Sequence, residues 1–456
     1  MSRGDVSDHV PIAELARRTG EAGATLAEWH ERGLIAGVAG RSLAGDVERI
    51  RLIRSLLARG VGIDDIACAL GQHGDLVERF VEQWLGRDEP GYPLDEAAAR
   101  VGVEPEVVRR LSESAGLADL EGTWTDDDLD GLRALKAALD AGFPNEGLVQ
   151  VLRVYGDALR RVADAEVRLF HLYVHQRLRQ EGLSGDELMA ATEAAAGPLR
   201  ELVEPAVLYF HRKAWERAQR EDLVTHLGEE TGLWPTIDAT GRLPAAVVFV
   251  DLSGFTSLTA AMGDVAAAEV VERFAAIVRQ IVGRSPGQVV KQVGDGFLLL
   301  FPDAGSAVRC SVELEQRVSR EPEFPSVRSG IHWGPVLYRE GDYVGAAVNI
   351  AARLVAEAAP HQVLVTRPVV QQTGRLDDID LVPVGRRLLK GLPEEVELFA
   401  ARSTVRLGVD KQVDPVCRME LRPAEVDARL TIEGHEHVFC SADCLQLFVA
   451  APDRYT

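Results

Sequence analysis

No stretch of the 456 residues stays apolar for the length a bilayer demands, although 46% of the chain is hydrophobic. A spanning helix needs about 20 such residues, so no membrane helix is expected. The N-terminus, Met1-Ser2-Arg3-Gly4-Asp5, lacks the basic and apolar segments of a secretory signal. Both absences predict a cytoplasmic protein. Positive charge is also short: 50 Lys and Arg face 71 Asp and Glu, a formal net charge of −21. That balance argues against broad attraction to nucleic acid or anionic membrane. Cysteine is scarce, and the five present are an odd number, which excludes the fully paired framework of small secreted domains. Three of them, Cys417, Cys440 and Cys444, fall in the last 40 residues, a clustering that points to metal or redox chemistry. The length suffices for three or more domains.

The first half reads as all-α and repeats itself. Ile12-Ala13-Glu14-Leu15-Ala16-Arg17-Arg18-Thr19-Gly20 matches Leu94-Asp95-Glu96-Ala97-Ala98-Ala99-Arg100-Val101-Gly102. Val47–Gly60 matches Leu129–Gly142 at the same offset of 82 residues, with a one-residue insertion between. Each copy has two short amphipathic helices joined by a Gly turn, then a longer helix. That is helix-turn-helix grammar, used twice. The copies occupy residues 1–90 and 91–156. The first, with Thr25-Leu26-Ala27-Glu28-Trp29-His30-Glu31-Arg32-Gly33-Leu34-Ile35, resembles the MerR family; the second is a weaker match. Glu28 and Glu31 stand where MerR proteins tend to be basic, and Asp126, Asp127, Asp128 and Asp130 crowd one turn of the second copy. DNA contact is therefore left to the first copy alone, through Arg17, Arg18 and Arg32, and the acidic recognition helix argues against it.

Residues 157–236 form a helical regulatory or dimerisation region. Val167–Val174 and Val207–His211 carry dense apolar stripes. A bundle core accounts for most of them, and the surplus predicts burial against a second subunit. Thr231–Pro235 and Gly241–Pro244 then punctuate a linker.

Strands and helices alternate over residues 240–403, an α+β pattern. Asp251 ends the apolar run Ala246–Val250. Asp295 sits in Lys291-Gln292-Val293-Gly294-Asp295-Gly296, ahead of Phe297–Phe301. A buried strand end and a Gly-Asp-Gly hairpin would bring the two carboxylates together, and hard divalent ions prefer such oxygens. Asn349 and Arg353 are four apart in an Ala-rich helix and share one face. With Asp342-Tyr343-Val344-Gly345 before them, these positions resemble the catalytic domain of class III nucleotidyl cyclases. The resemblance implies a ferredoxin-like fold and closure of ATP to cyclic AMP with loss of pyrophosphate. It assigns two Mg2+ or Mn2+ ions to Asp251 and Asp295, adenine to Lys291 and Asp342, the ribose to Asn349 and the transferring phosphate to Arg353. Lysine donates to a ring nitrogen and aspartate accepts from the exocyclic amine, which selects ATP over GTP. Arg328 and Lys390 are further candidates for phosphate, with salt bridges an equal account of each. The family splits its site between two catalytic domains, so a head-to-tail homodimer is expected.

Residues 404–413 read as a linker, and a small module occupies 410–456. Asp414-Pro415-Val416-Cys417-Arg418-Met419, Phe439-Cys440-Ser441-Ala442-Asp443-Cys444 and Ala451-Pro452-Asp453-Arg454-Tyr455 resemble the YHS family, with Arg418 where that family usually has Gly. Cys440 and Cys444 are one helical turn apart and, with Cys417, make a second metal site for a transition metal such as zinc, completed by His435 or His437. Thiols filling a small core is the competing account. So short a module has little core of its own without such a staple. The whole reads as a regulated adenylate cyclase. The competing class is a metal- or redox-responsive transcription regulator with a vestigial cyclase domain.

Overall fold

The computed structural model describes residues 12–35, 43–80, 91–117, 124–231, 241–405, 411–432 and 434–455. The chain divides into two compact units, Met1–Val203 and Glu204–Thr456.

The first unit is helical. It runs α1 (Ile12–Thr19), α2 (Gly23–Glu31), α3 (Leu43–Ala58), α4 (Ile63–Phe80), α5 (Leu94–Val101), α6 (Pro105–Ser114), α7 (Asp126–Asp140) and α8 (Asn145–Phe170). Helix starts recur at 12 and 94, 23 and 105, 43 and 126, 63 and 145. The turns after α1 and α5 use Gly20 and Gly102 at positive φ, the left-handed C-cap that an L side chain resists. Each copy has a separate core: Leu15, Leu26, Trp29 and Ile50 in one, Ala97, Val108, Trp124 and Leu129 in the other. The acidic run Asp126–Asp128 opens α7, where carboxylates meet the positive helix end. Asp128 also accepts from the Thr125 backbone N–H at 2.8 Å in a capping box. Arg32 is taken up by Glu28 at 3.1 Å and Asp64 at 2.8 Å. The side chains of Arg17 and Arg18 lie outside the described residues.

A π-helical turn (His171–His175), α9 (Gln176–Gln180) and α10 (Gly185–Glu230) follow. The expected bundle core is largely missing here. Leu188 is the one buried large hydrophobic among the described residues of 157–231, while Val167, Tyr173, Tyr209 and Phe210 stay exposed. A single chain covers little of the stripes. Of the linker expected at 231–244, residues 232–240 lie outside the described residues. No helix among the described residues is long and apolar enough to cross a membrane.

In the second unit the strands are β1 (Arg242–Leu252), β2 (Gln288–Val293), β3 (Gly296–Phe301), β4 (Phe324–Pro325), β5 (Val327–Arg339), β6 (Asp342–Val344), β7 (Val363–Thr366), β8 (Ile379–Arg387) and β9 (Val396–Ser403). The helices between them are α11 (Phe255–Val282), α12 (Ala304–Val318), α13 (Ala346–Glu357) and α14 (Arg367–Thr373). Seven strands form a mixed sheet in the order β2-β3-β1-β5-β7-β9-β8, with β6 paired to β5. Alternate residues of β1 serve opposite faces. Ala246, Val248, Val250 and Leu252 enter the core shared with α11 and α12, whereas Ala245 and Val247 pack under α13. Burial on both faces explains why this strand reads as an unbroken apolar run. Helix α13 lies close on β5 because residue 330 is Gly: a Cβ there would collide with the Val355 backbone nitrogen and sit 2.6 Å from Leu354 Cβ.

The C-terminal residues add β10 (Gln412–Val413), β11 (Met419–Leu421), β12 (Ala428–Ile432), β13 (His435–Phe439) and α15 (Ala442–Ala450). They do not form the isolated module expected. Strand β11 pairs with β4, setting Met419 opposite Pro325 and Glu420 opposite Phe324. Val416, Met419, Phe439 and Phe448 belong to the same hydrophobic core as Phe274 and Phe324. His361 bridges Glu315 of α12 at 2.9 Å and Glu420 of β11. These hydrogen bonds, that to Glu315 foremost, push its pKa up to about 9. The small core problem is met by sharing a larger one. Within the expected linker, 406–410 lie outside the described residues.

Replacing Gly330 with Ala should destabilise the second unit by about 1–3 kcal/mol, as overpacking does. Cyclic AMP formation should fall with it, because α13 is pushed off the sheet. Thermal unfolding and an activity assay on the same preparation check this.

Candidate active site

Three polar clusters sit around β1, β2 and α13. In the first, Asp251 leaves the end of β1 and Asp295 occupies the β2–β3 turn. Strand β3 pairs with β1, with Val250 opposite Phe297, so the turn is carried to the end of β1. Gly296 makes the approach fit: a Cβ there would lie 2.9 Å from the Val250 carbonyl and 3.1 Å from Asp251 Oδ1. Burial, and next the neighbouring Asp251 charge, push the Asp295 carboxyl up to about 6. Arg328, opposite Asp251 on β5, donates to Asp251 Oδ2 from Nη2 at 2.7 Å and from Nε at 3.2 Å. Of its two candidate roles, a salt bridge is thus the one its geometry displays. Two adjoining, half-buried carboxylates, one of them paired with an arginine, form a hard oxygen donor set, which fits divalent ions of the magnesium or manganese class.

In the second cluster Lys291 of β2 forms an ion pair with Asp342 of β6. Asp342 Oδ1 accepts from the Tyr343 backbone N–H at 2.8 Å, and Tyr343 Oη accepts from Gln288 Nε2 at 3.1 Å. A cation and a carboxylate 51 residues apart are thereby brought side by side.

The third cluster lies on α13. Asn349 is exposed and Arg353 half-buried. Arg353 Nη1 is buried without a hydrogen-bond partner, and it packs on Gly391, whose added Cβ would stand 2.8 Å from that nitrogen. A buried guanidinium N–H left open is costly unless an anion meets it. Lys390, beside Gly391, is exposed. Among the described residues, no hydrogen bond or ion pair joins the three clusters to one another.

The cysteines meet elsewhere in the same unit. Cys417 Sγ is 3.5 Å from Cys440 Sγ, which is 3.7 Å from Cys444 Sγ. Hydrogen bonds from Cys417 and then Cys440 bring the Cys444 thiol down to about 4, and hydrogen bonds with Cys440 and then Cys444 push Cys417 up. The group that completes the cluster is Asp414, not a histidine: its carboxylate and the three sulfurs all lie within 4.8 Å of one another, an arrangement that could hold a metal ion. His437 packs against Phe448 in a tilted arrangement instead, and His435 is exposed. The strand alternation of β13 turns His437 into the core, and this could not be settled from spacing. The sequence reading used Gly296 as a hairpin residue but did not foresee its close approach to Asp251, and it missed the packing of Gly391 on Arg353.

Residues 239–402 match the family of adenylate and guanylate cyclase catalytic domains, and residues 28–209 match the adenylate cyclase regulatory domain. An adenylate cyclase of Streptomyces coelicolor is 32% identical over 297 residues, covering 64% of this chain and 74% of that protein. The chain belongs to the class III adenylate cyclases. An adenylate cyclase of Streptomyces griseus is 31% identical, covering 62% of this chain and 68% of its own length. A pH-sensitive adenylate cyclase of Mycobacterium tuberculosis is 27% identical, covering 78% of this chain and 88% of its own length. The enzymatic reading therefore holds against that of a transcription regulator. The regulatory match runs through both helical repeats and into α10, across boundaries drawn from the sequence at 90/91 and 156/157.

Because the Asp295 carboxyl is pushed up on folding, the folded cyclase binds more protons than the unfolded chain between about pH 4 and 6. The metal-free enzyme should thus lose stability as pH rises through that window. Asp295→Asn should stabilise it at pH 8 by about 1 kcal/mol after solvent screening, seen as a higher melting temperature, and abolish turnover. Thermal scans in chelator at pH 5 and pH 8 read this directly.

Proposed function

We propose that this adenylate cyclase works as a head-to-tail homodimer with two equivalent sites, each assembled from both chains. Asp251 and Asp295 of one chain would hold two divalent ions of the Mg2+ or Mn2+ type, which when bound activate the ribose 3′ oxygen and screen the phosphates. Arg328 keeps Asp251 in place through its paired hydrogen bonds. Lys291 and Asp342 of the other chain read adenine, the amine donating to a ring nitrogen and the carboxylate accepting from the exocyclic amine. Their mutual ion pair keeps both heads together before ATP arrives. Asn349 orients the ribose. Arg353 stabilises the charge that grows on the α-phosphate as the ring closes, and Lys390 serves as a flanking phosphate contact. The observation that carries this reading is the open Nη1 of Arg353, a buried donor for which the single chain supplies no partner.

The exposed stripes of α8 and α10 are read as further dimer surface. Residues 1–90 and 91–156 are read as helix-turn-helix units kept for regulation. The C-terminal residues 410–456 are read as a YHS-type module, whose three cysteines and Asp414 hold a transition metal such as zinc. Tetrahedral thiolate coordination at 2.3 Å sets sulfurs about 3.8 Å apart, near the 3.5 and 3.7 Å seen between the cysteines.

Mixing an Asp251→Ala chain with an Asn349→Ala chain tests the shared site. Each alone should be inactive. After subunit exchange half the dimers carry one intact site, so about a quarter of wild-type activity should return. Inactive mixtures with proven exchange would rule out a site built from both chains. Arg353→Ala should lower kcat by about 10²–10³-fold, as loss of a transition-state donor does, with little change in KM. Steady-state kinetics separate the two parameters.

A further inference from the structure

One side chain joins the cysteine site to the loop that carries Asp251. Residues 414–419 close on themselves: Asp414 N donates to Met419 O and Arg418 N to Asp414 O, each at 2.9 Å. Asp414 Oδ1 accepts from Val416 N at 2.8 Å and Cys417 N at 3.3 Å, and Oδ2 accepts from Cys440 N at 2.9 Å. Cys417 is buried inside this loop, and Arg418 comes directly after it. Arg418 has φ +65°, a left-handed conformation that glycine adopts freely and a long side chain does not. Its side chain lies on Gly254, where an added Cβ would stand 2.7 Å from both Cβ and Cγ of Arg418. Gly254 is three residues beyond Asp251 and caps α11 at φ +75°. The same segment is held a second time: Ser253 N donates to Ser326 O at 2.8 Å, next to β4, which pairs with β11.

We propose that a soft divalent ion of the zinc class, bound by Cys417, Cys440, Cys444 and Asp414, is an activator of the cyclase. It acts through Arg418, which presses on Gly254 and keeps the Asp251 carboxylate beside Asp295. This rests on the metal reading of the cysteine cluster given above. The ion would tie together three separate pieces of chain: the 414–419 loop, the end of β13 and the first turn of α15. Without it the loop is held by its hydrogen bonds alone, and Arg418 is free to leave Gly254. Binding that orders a loop transmits its free energy to whatever the loop touches. A strained, glycine-type conformation kept by an arginine is the mark of a side chain that is needed at that spot.

The test uses the full chain, reduced, stripped of metal and returned to excess Mg2+, with and without stoichiometric zinc. Elemental analysis reads bound zinc, and cyclic AMP formation reads the response. Wild type should bind about one zinc per chain and run about fivefold faster or more with it. Arg418→Gly suits its backbone and should bind zinc equally, yet show the same rate with and without the ion. Cys440→Ser/Cys444→Ser should bind none at this site, and any zinc effect remaining in it belongs to the active site. A zinc-loaded wild type with an unchanged or lower rate overturns the activation, as does a wild-type response in Arg418→Gly. Wild type that takes up no zinc, or no more than the double serine variant, overturns the metal reading and the proposal with it.

Discussion

Strand β1 is buried on both faces and then ends in a carboxylate, and the arrangement of the catalytic unit follows from that. Its even-numbered residues face α11 and α12 and its odd-numbered ones face α13, so it cannot slip by one residue without exchanging two different cores. The fixed register delivers Asp251 opposite Arg328 and beside the β2–β3 turn. Burying a carboxylate and placing a second one beside it are both unfavourable, and the raised Asp295 pKa reflects burial first and the Asp251 charge next. The apolar burial along β1 and β3 offsets this cost. The two carboxylates are therefore held side by side by the packing beneath them.

The C-terminal residues change meaning once their packing is known. A short cysteine-containing segment suggests an appended module with its own staple. Here its apolar side chains enter the cyclase core, its strand β11 continues a small sheet with β4, and His361 and Lys411 converge on the buried Glu420. An element so joined cannot rearrange without disturbing the segment after Asp251. That physical continuity, more than the identity of any bound ion, makes the region a candidate for control.

The helical half contrasts with this. Each repeat satisfies itself with a compact core, but α8 and α10 leave large apolar side chains in solvent. Apolar stripes that one chain leaves uncovered favour association, because burying them releases water at no polar cost. Acidic residues that seemed to speak about nucleic acid prove to be helix-terminus chemistry, since Asp126–Asp128 open α7 and close its cap. Local charge in a sequence reports first on the nearest helix end.

Much of this protein was legible in its residues. Alternation, glycine turns and the offset of 82 residues disclosed the helical repeats. The order of Asp251, Lys291, Asp295, Asp342, Asn349 and Arg353 carried the resemblance to class III cyclases, and the roles proposed for these residues come with that resemblance. The chain by itself could not say who touches whom across long separations. That Arg328 serves Asp251, that Arg353 rests on Gly391, that Asp414 rather than a histidine joins the cysteines, and that Arg418 lies on Gly254 were all decided by tertiary structure. The reason is physical: periodicity and propensity act within a few residues, whereas these contacts depend on strand register and helix docking, which the packing of the whole core sets.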